Sequence, residues 1–497
     1  MPMLGGAPAV WITCMVFFQA VLLAGYTYSH ATTAWLGARR QTLLHLGLIL
    51  LPLLVLPIRI GTHAEHVSVD PNKPISFLLT TLFLGVGLPF FVVSTTAPLL
   101  QKWFSHVKPT DTDPYFLYGA SNLGSMLSLA AYPALIEPHF GLFEQASTWR
   151  WGYCAFVAMV AVCAVAVLRA DVRTGPASAA TAPTTVVAPA SIATMRRLRW
   201  ILLAFVPSSV LLSVTTYITT DIAPVPLFWV IPLGIYLATF VLVFAKKPPL
   251  SHVRMTALLP LAISVAALVL ILEARTPITF ITLVHLITFF LIAMVCHGEL
   301  AKDRPPPAQL TEFYLWISVG GVLGGIFNGI LAPAIFDSIV EYPLVLVLAC
   351  VCRTVTVDKE TRSRLWVTFA VPVGMGLMMI GLICVSRALH LSHEGMTLRL
   401  LVGLPIFLSF PFLNQPIRYA LSIGACFVGS ALCGGVSGST IHVERSFFGV
   451  VRVTHDETGK FVQIAHGTTI HGAQSLDPAL RRVPLTYFTV SGPLGQV

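Results

Sequence analysis

Apolar runs long enough to be helices recur along most of the chain, separated by short polar breaks. They fall at 8–30, 42–60, 75–100, 115–136, 149–168, 200–220, 226–245, 254–272, 278–297, 312–335, 338–352, 364–386, 398–413 and 416–437. A helix needs about 20 predominantly apolar residues to cross the hydrocarbon core of a bilayer. The pattern therefore predicts an all-α polytopic membrane protein with about 13–14 transmembrane helices, the eleventh and thirteenth segments being short. The first run is too long for a signal peptide and lacks a basic n-region and a small-residue cleavage site. Past residue 440 the pattern changes. Val443 to Val453 is β-branched and aromatic, His455 to Gly459 is a turn, and Lys460 to Ala465 reads as a second strand. Together they predict a hairpin within a short β-rich segment of two or three strands.

Composition agrees. Of 497 residues, 56% are hydrophobic and 10% charged, against roughly 25% charged in soluble domains; mean hydropathy is +0.82. A soluble multi-domain enzyme and a nucleic-acid binder are excluded as classes, and the lipid bilayer is the first expected partner. The nine cysteines lie in apolar stretches and form no CxxC pair, so they read as small buried apolar residues with no metal site. The net charge of +9 matters through its distribution. Counted with the arginines at the adjoining segment ends, the odd-numbered loops up to the eleventh hold 18 Lys and Arg, and the even-numbered loops up to the tenth hold 4. By the positive-inside rule the odd loops are cytoplasmic and Met1 is outside.

An internal repeat organises the segments. The first opens Pro8-Ala9-Val10-Trp11 and the seventh Pro226-Leu227-Phe228-Trp229. The fourth runs from Asp113 through Gly119 and Gly124 to Pro133, and the tenth from Glu312 through Gly320 and Gly325 to Pro333. An offset of six spans keeps orientation, as in the parallel halves of major facilitator transporters. Residues 1–169 form the first half-bundle, 170–199 an Ala/Thr/Pro-rich linker, 200–353 the second half-bundle, 354–439 extra spans and 440–497 the β-rich segment. The first half has five spans where the second has six, so a helix is expected to precede Met1.

Ionisable groups inside spans are costly, so each is a functional hypothesis. His285 reads either as a proton or substrate group or as a histidine bonded to a neighbouring helix. His297-Gly298-Glu299 reads either as a ligand cluster or as an interfacial cap. Asn122 and the polar Gln19, Thr95, Thr96 and Gln101 either line a cavity or bond between helices. Asp113, Tyr115, Tyr118, Glu312, Tyr314 and Trp316 stand at the starts of repeated helices, where dipole and interface account for them. An acid beside an aromatic ring is also what a polyamine cation prefers, which makes Tyr118 and Trp229 substrate candidates. Pro89, Pro98, Pro207, Pro224, Pro226 and Pro232 break spans and point to a cavity near the first, third, sixth and seventh segments.

LGGAPAVW, GLPFFVVSTTAPLLQKWF, DPYFLYGASNLGS, TTDIAPVPLFWVIPL, CHGELAKDRP and ERSFFGVVRV…HGTTIHGAQSLDP…PLTYF together resemble the bacterial inner-membrane proteins that fuse a major-facilitator-like region to a spermidine-synthase-like domain. The resemblance implies a further helix before LGG and a continuation past the tail into a Rossmann-type domain that binds decarboxylated S-adenosylmethionine. The Gly-rich turn and catalytic Asp of that domain have no counterpart between Gly492 and Val497, so no cofactor is expected on this chain. The resemblance places Gln474 and Tyr487 beside cosubstrate and amine. It implies a protein that binds or handles polyamine-like cations; the alternatives are a secondary transporter and a fragment of a membrane-anchored aminopropyltransferase or S-adenosylmethionine-dependent transferase. Fourteen spans put the tail outside, whereas a transferase should be inside, and the short segment 398–413 is the one whose crossing is in doubt.

Overall fold

The computed structural model describes residues 8–58, 74–108, 113–173, 192–222, 225, 227–274, 276–354, 365–391, 395–434, 440–446, 449–456, 458–467 and 469–489. Among them the apolar segments become helices in the expected order. These are α1 (Pro8–Leu48), α2 (Pro74–Val107), α3 (Phe116–Ala131), α4 (Leu142–Arg173), α5 (Thr194–Ile222), α6 (Val230–Val243) and α7 (His252–Ile271). There follow α8 (Ile278–Lys302), α9 (Pro307–Ile335), α10 (Glu341–Val351), α11 (Trp366–Ala388), α12 (Met396–Leu408) and α13 (Pro416–Leu432). Eight helical runs are long and apolar enough to cross a membrane: Ala9–Leu54, α2, Leu142–Ala170, α5, α7, α8, α9 and α11. Four more, α6, α10, Met396–Phe412 and α13, are shorter and apolar. α3 falls outside both groups because Ser121, Asn122, Ser125 and Ser128 dilute it. This helix content is compatible with a multi-pass membrane protein.

From Pro8 to Leu48 the first segment and the start of the second are helical except at one residue. Gly37 has φ 71° and ψ 169°, a conformation essentially confined to glycine. Beyond it Gln41 donates to the hydroxyls of Thr32 (3.0 Å) and Thr33 (2.7 Å). Nine residues of straight helix would hold Thr32 and Gln41 about 14 Å apart, so the chain folds back at Gly37. The expected loop at 31–41 is one glycine.

α5 is the central element. Its Trp200, Leu203, Val206, Val210, Leu211 and Val214 are buried in the main core. α9 lies against it where glycine permits. A Cβ at Gly320 would sit 2.4 Å from the Ile201 carbonyl oxygen, and one at Gly324 2.9 Å from that of Phe205. A Cβ added at Gly124 or Gly321 would meet nothing within 4 Å. Of the nine cysteines, Cys163 and Cys384 are exposed on the outside of the bundle rather than buried. Apolar thiols there face the space that lipid would fill.

Contacts between loops sort the chain ends of the helices onto two faces. On one, Arg196 pairs with Asp303 (3.0 Å), Arg197 with Glu312 (2.7 Å), Arg304 with Asp113 (2.8 Å), and Arg353 donates to the Leu413 carbonyl. On the other, Arg387 donates to the Cys433 carbonyl (2.7 Å), and the Trp11 and Trp229 rings lie 5.8 Å apart. Each pair joins odd loop to odd loop or even to even. α12 carries the chain from the Arg387–Cys433 end to the Arg353–Leu413 end, so the short thirteenth segment runs between the faces.

The C-terminal segment is a four-stranded antiparallel meander, β1 (Thr440–Ser446), β2 (Gly449–His455), β3 (Phe461–His466) and β4 (Thr469–Ser475). The run read as one strand from Val443 to Val453 is two, with Ser446 paired to Gly449 at φ 139°. In the sequence Phe447 and Phe448 between them carry the apolar pattern straight through. The residues after His466 form β4, so the sheet has four strands where two or three were expected. Between β2 and β3 the Thr458 hydroxyl and the Phe461 amide donate to Asp456 and hold its carboxyl below the usual value.

Candidate functional site

The sheet does not hang free. Arg445 of β1 makes a two-pronged ion pair with Glu341 at the start of α10, at 2.7 and 3.0 Å, and a third bond to the Ser338 carbonyl at 2.8 Å. The two side chains are 8% and 2% exposed. At the other edge Gly467, at φ 60°, lies against the Thr220 carbonyl, where a Cβ would come within 2.0 Å. In a strand alternate side chains share a face. Val443 and Arg445 therefore point to the bundle together, and Arg452, paired with Val443 across the ladder, points there too.

Under the sheet is a cavity of about 830 Å³, within the roughly 300–1,000 Å³ of ordinary small-molecule sites. The end of α5 supplies Tyr217 and Asp221; the chain after α7 supplies Glu273; Ser338 and Tyr342 come from the start of α10, Phe427 from α13, and Thr440 and Arg452 from the sheet. Asp221 lies in a π turn (Ile218–Ile222) that widens the last turn of α5, and its carboxylate accepts from the Thr220 hydroxyl at 2.9 Å. π turns are frequent at functional sites. Arg452 makes no ion pair among the described residues.

Two local features of this cavity run against stability. Asp221 and Glu273 both stand at helix C-terminal ends, where the backbone already presents about half a negative charge and a carboxylate is disfavoured. Glu273 also has φ 49°, a left-handed conformation that costs a non-glycine residue about 1–2 kcal/mol and that glycine usually takes after a helix. The carboxylates add to two helix dipoles instead of compensating them. A cation held near these two helix ends would have the Tyr217, Tyr342 and Phe427 rings beside it as faces to lie on.

The residues singled out from sequence are dispersed. His285 is buried behind this cavity: its Nδ1 shares a 2.8 Å hydrogen bond with the Tyr342 hydroxyl, and the Tyr217 ring meets it edge-on at 4.9 Å. Its bond to α10 is the helix-bonding alternative. Tyr118 is buried near the basic face, stacked on Tyr314 at 4.7 Å. Asn122 donates to the Tyr118 carbonyl of its own helix at 2.8 Å. Trp229 packs on Trp11 at the opposite face, so it shares no site with Tyr118. Gln474 is exposed on β4, donating to the Arg481 carbonyl at 3.4 Å. Tyr487 lies in the turn Thr486–Phe488, its side chain outside the described residues. Of the segments expected to frame a cavity, only the sixth, α5, lines this one.

Glu299 is a hub on the basic face, bonded to Arg199 (2.7 Å), His252 (2.7 Å) and Lys302 (3.3 Å). Gly298 beside it makes room for the His252 ring, which a Cβ would meet at 2.2 Å. His297 instead turns inward, bonded to Thr239 at 2.9 Å and stacked on Phe240 at 3.7 Å. No group of three metal-ligating side chains occurs among the described residues.

Asp221 and Glu273 were missed because each lies where an apolar run gives way to a short polar break in the sequence, where a charge is unremarkable. The signal available in sequence was an acid at the end, rather than the start, of an apolar run. No family model matches the chain, and no match is found among the curated proteins or the solved structures.

Proposed function

We propose that this chain binds a polyamine-like cation in the cavity beneath its C-terminal sheet, at the non-cytoplasmic end of a major-facilitator-like bundle in a bacterial inner membrane. The observation that carries the reading is the placing of Asp221 and Glu273 at two converging helix C-termini, walled by Tyr217 and Tyr342. The amine class comes from the resemblance to spermidine-synthase-like membrane proteins. Orientation comes from the positive-inside rule: Arg196, Arg197, Arg199 and Arg304 share one face, and the sheet docks on the other.

Packing favours a second, compatible reading, secondary transport. Exchanging α1 with α6 and α3 with α9, as the repeat requires, turns the α1–α9 contact into the α6–α3 contact, and both are extensive. Repeat-related rings also meet, Trp11 with Trp229 and Tyr115 with Tyr314 at 6.0 Å, as they do beside a two-fold axis. The transferase reading draws no such support, since it needs the sheet on the side of the basic loops.

The test is calorimetric titration of spermidine into the purified full chain in nanodiscs. Asp221→Asn and Glu273→Gln should each weaken binding at least tenfold, while Tyr118→Ala should not. Unchanged binding in both carboxylate variants would refute the reading.

A further inference from the structure

The cavity is not closed on all sides. Its charged and polar lining lies at the sheet end, but its remaining wall descends along the outside of the bundle. On α10 it runs from Ser338 to Val347, and on α13 from Gly434 down to Leu421. Thirteen residues of helix span about 20 Å, well into the thickness of hydrocarbon. The descending wall is apolar and turned outward: Leu344 is 48% exposed, Val428 59% and Leu421 36%. Gly424 lies between them against Val347, whose side chain a Cβ would meet at 3.5 Å, so the seam stays shallow and smooth. A free polyamine, charged along its length, has no use for such a wall.

We infer that the occupant of this site is an aminophospholipid, with its primary amine between Asp221 and Glu273, its phosphate at Arg452 and an acyl chain along the α10–α13 seam. The inference rests on the cation reading and names the molecule that carries the cation. Charge complementarity selects it. The two carboxylates suit the amine; Arg452, carried into the lining of the same cavity by β2 and without an ion pair among the described residues, suits an anion on the same molecule. A polyamine offers Arg452 nothing, and an anionic lipid without an amine offers the carboxylates nothing. The apolar seam then binds by area alone.

The experiment is native mass spectrometry of the full chain released from detergent with phosphatidylethanolamine, phosphatidylglycerol or spermidine. Phosphatidylethanolamine should be retained at least tenfold more than phosphatidylglycerol. Asp221→Asn with Glu273→Gln should abolish that preference, and Arg452→Gln should lower phosphatidylethanolamine retention while leaving spermidine unaffected. Val428→Trp, which fills the seam, should remove phosphatidylethanolamine and spare spermidine; Val428→Ala and the thermal midpoint control for folding. Spermidine binding that needs both carboxylates, with phosphatidylethanolamine indifferent to Val428→Trp, would overturn the lipid inference and leave the cation reading standing. Retention of both ligands by the double carboxylate variant would overturn both. Equal retention of the two phospholipids by the wild type would overturn the inference as well.

Discussion

The Arg445–Glu341 pair should decide whether the sheet stays on the bundle, and its two halves should not be equivalent. Glu341→Gln leaves a guanidinium that is 8% exposed with the Ser338 carbonyl at 2.8 Å and an uncharged amide in place of its counter-ion. Breaking a buried pair from one side costs about 3–5 kcal/mol, because the remaining charge is uncompensated. At about 1.4 kcal/mol per factor of ten, the undocked population should rise by about two to three and a half orders of magnitude. Arg445→Leu leaves Glu341 in the first turn of α10, where the helix dipole relieves part of the penalty, up to about 2 kcal/mol in a partly buried site. It should therefore be the milder change. The double variant, Glu341→Leu with Arg445→Leu, removes both charges and should recover most of the loss, since an apolar replacement of a buried pair is often neutral. The assay is maleimide labelling of Thr220→Cys, whose backbone carbonyl Gly467 lies against in the docked state, in a background with Cys163 and Cys384 replaced by Ser. Labelling should be fastest in Glu341→Gln, slower in Arg445→Leu and near the parent rate in the double variant. Equal, parent-like rates in both single variants would refute the reasoning, as would a double variant that labels faster than either.

Three further outcomes follow from the same geometry. Glu273→Gly should hold or raise the thermal midpoint, because it relieves about 1–2 kcal/mol of left-handed strain, while it abolishes amine binding; a fall in both would mean the carboxylate is structural. Gly320→Ala should destabilise by about 1–3 kcal/mol through overpacking on Ile201 and Ala204, whereas Gly321→Ala, with open space, should gain up to about 1 kcal/mol of helix propensity; thermal melts in detergent separate them. In whole cells an impermeant maleimide should label Thr458→Cys directly and Lys247→Cys only after lysis, and the reverse order would invert the orientation.

Helix positions were legible because each apolar run is bounded by charge or proline, and crossing a bilayer demands that length. Gly37 shows the limit. Arg39 and Arg40 drew attention to a loop, yet a single left-handed glycine makes the reversal and both arginines begin the returning limb. Asp113 and Glu312 could be placed at helix starts, where the dipole favours them. Their partners Arg304 and Arg197 are more than a hundred residues away, and no local pattern pairs them. The tail misled for a local reason: the β1–β2 junction is aromatic, so hydrophobicity ran straight through it. The cavity was illegible because it is assembled from five separate pieces of chain, and only folding brings the ends of α5 and α7 under Arg452.

The location of the cavity bears on how the two halves could move. α5, α7 and α10 all belong to the second half, and the sheet is fastened to α10 of that half and rests on α5. Cavity, cap and their ion pair would therefore travel as one body if the halves rocked. Bonds that tie the halves together lie elsewhere: Gln19 of α1 donates to the Ser208 hydroxyl of α5 at 3.1 Å within the bundle, and a larger group stands on the basic face. There Lys102 donates to the Pro307 and Ala308 carbonyls at 3.3 and 3.2 Å, Tyr115 to the Pro305 carbonyl at 2.8 Å, and Tyr314 to Gln101 at 2.7 Å. The tyrosine bonds are buried and each is worth about 1 kcal/mol, while the exposed Asp113–Arg304 pair is worth less. Replacing Tyr115 and Tyr314 by Phe should then open the basic face by one to two orders of magnitude, read as labelling of Thr311→Cys, buried at 3% exposure against His30 of the first half, without changing ligand retention under the sheet. Were ligand retention to fall in step with that opening, the site would be coupled to the inter-half contact, and the cap could no longer be regarded as moving with the second half alone.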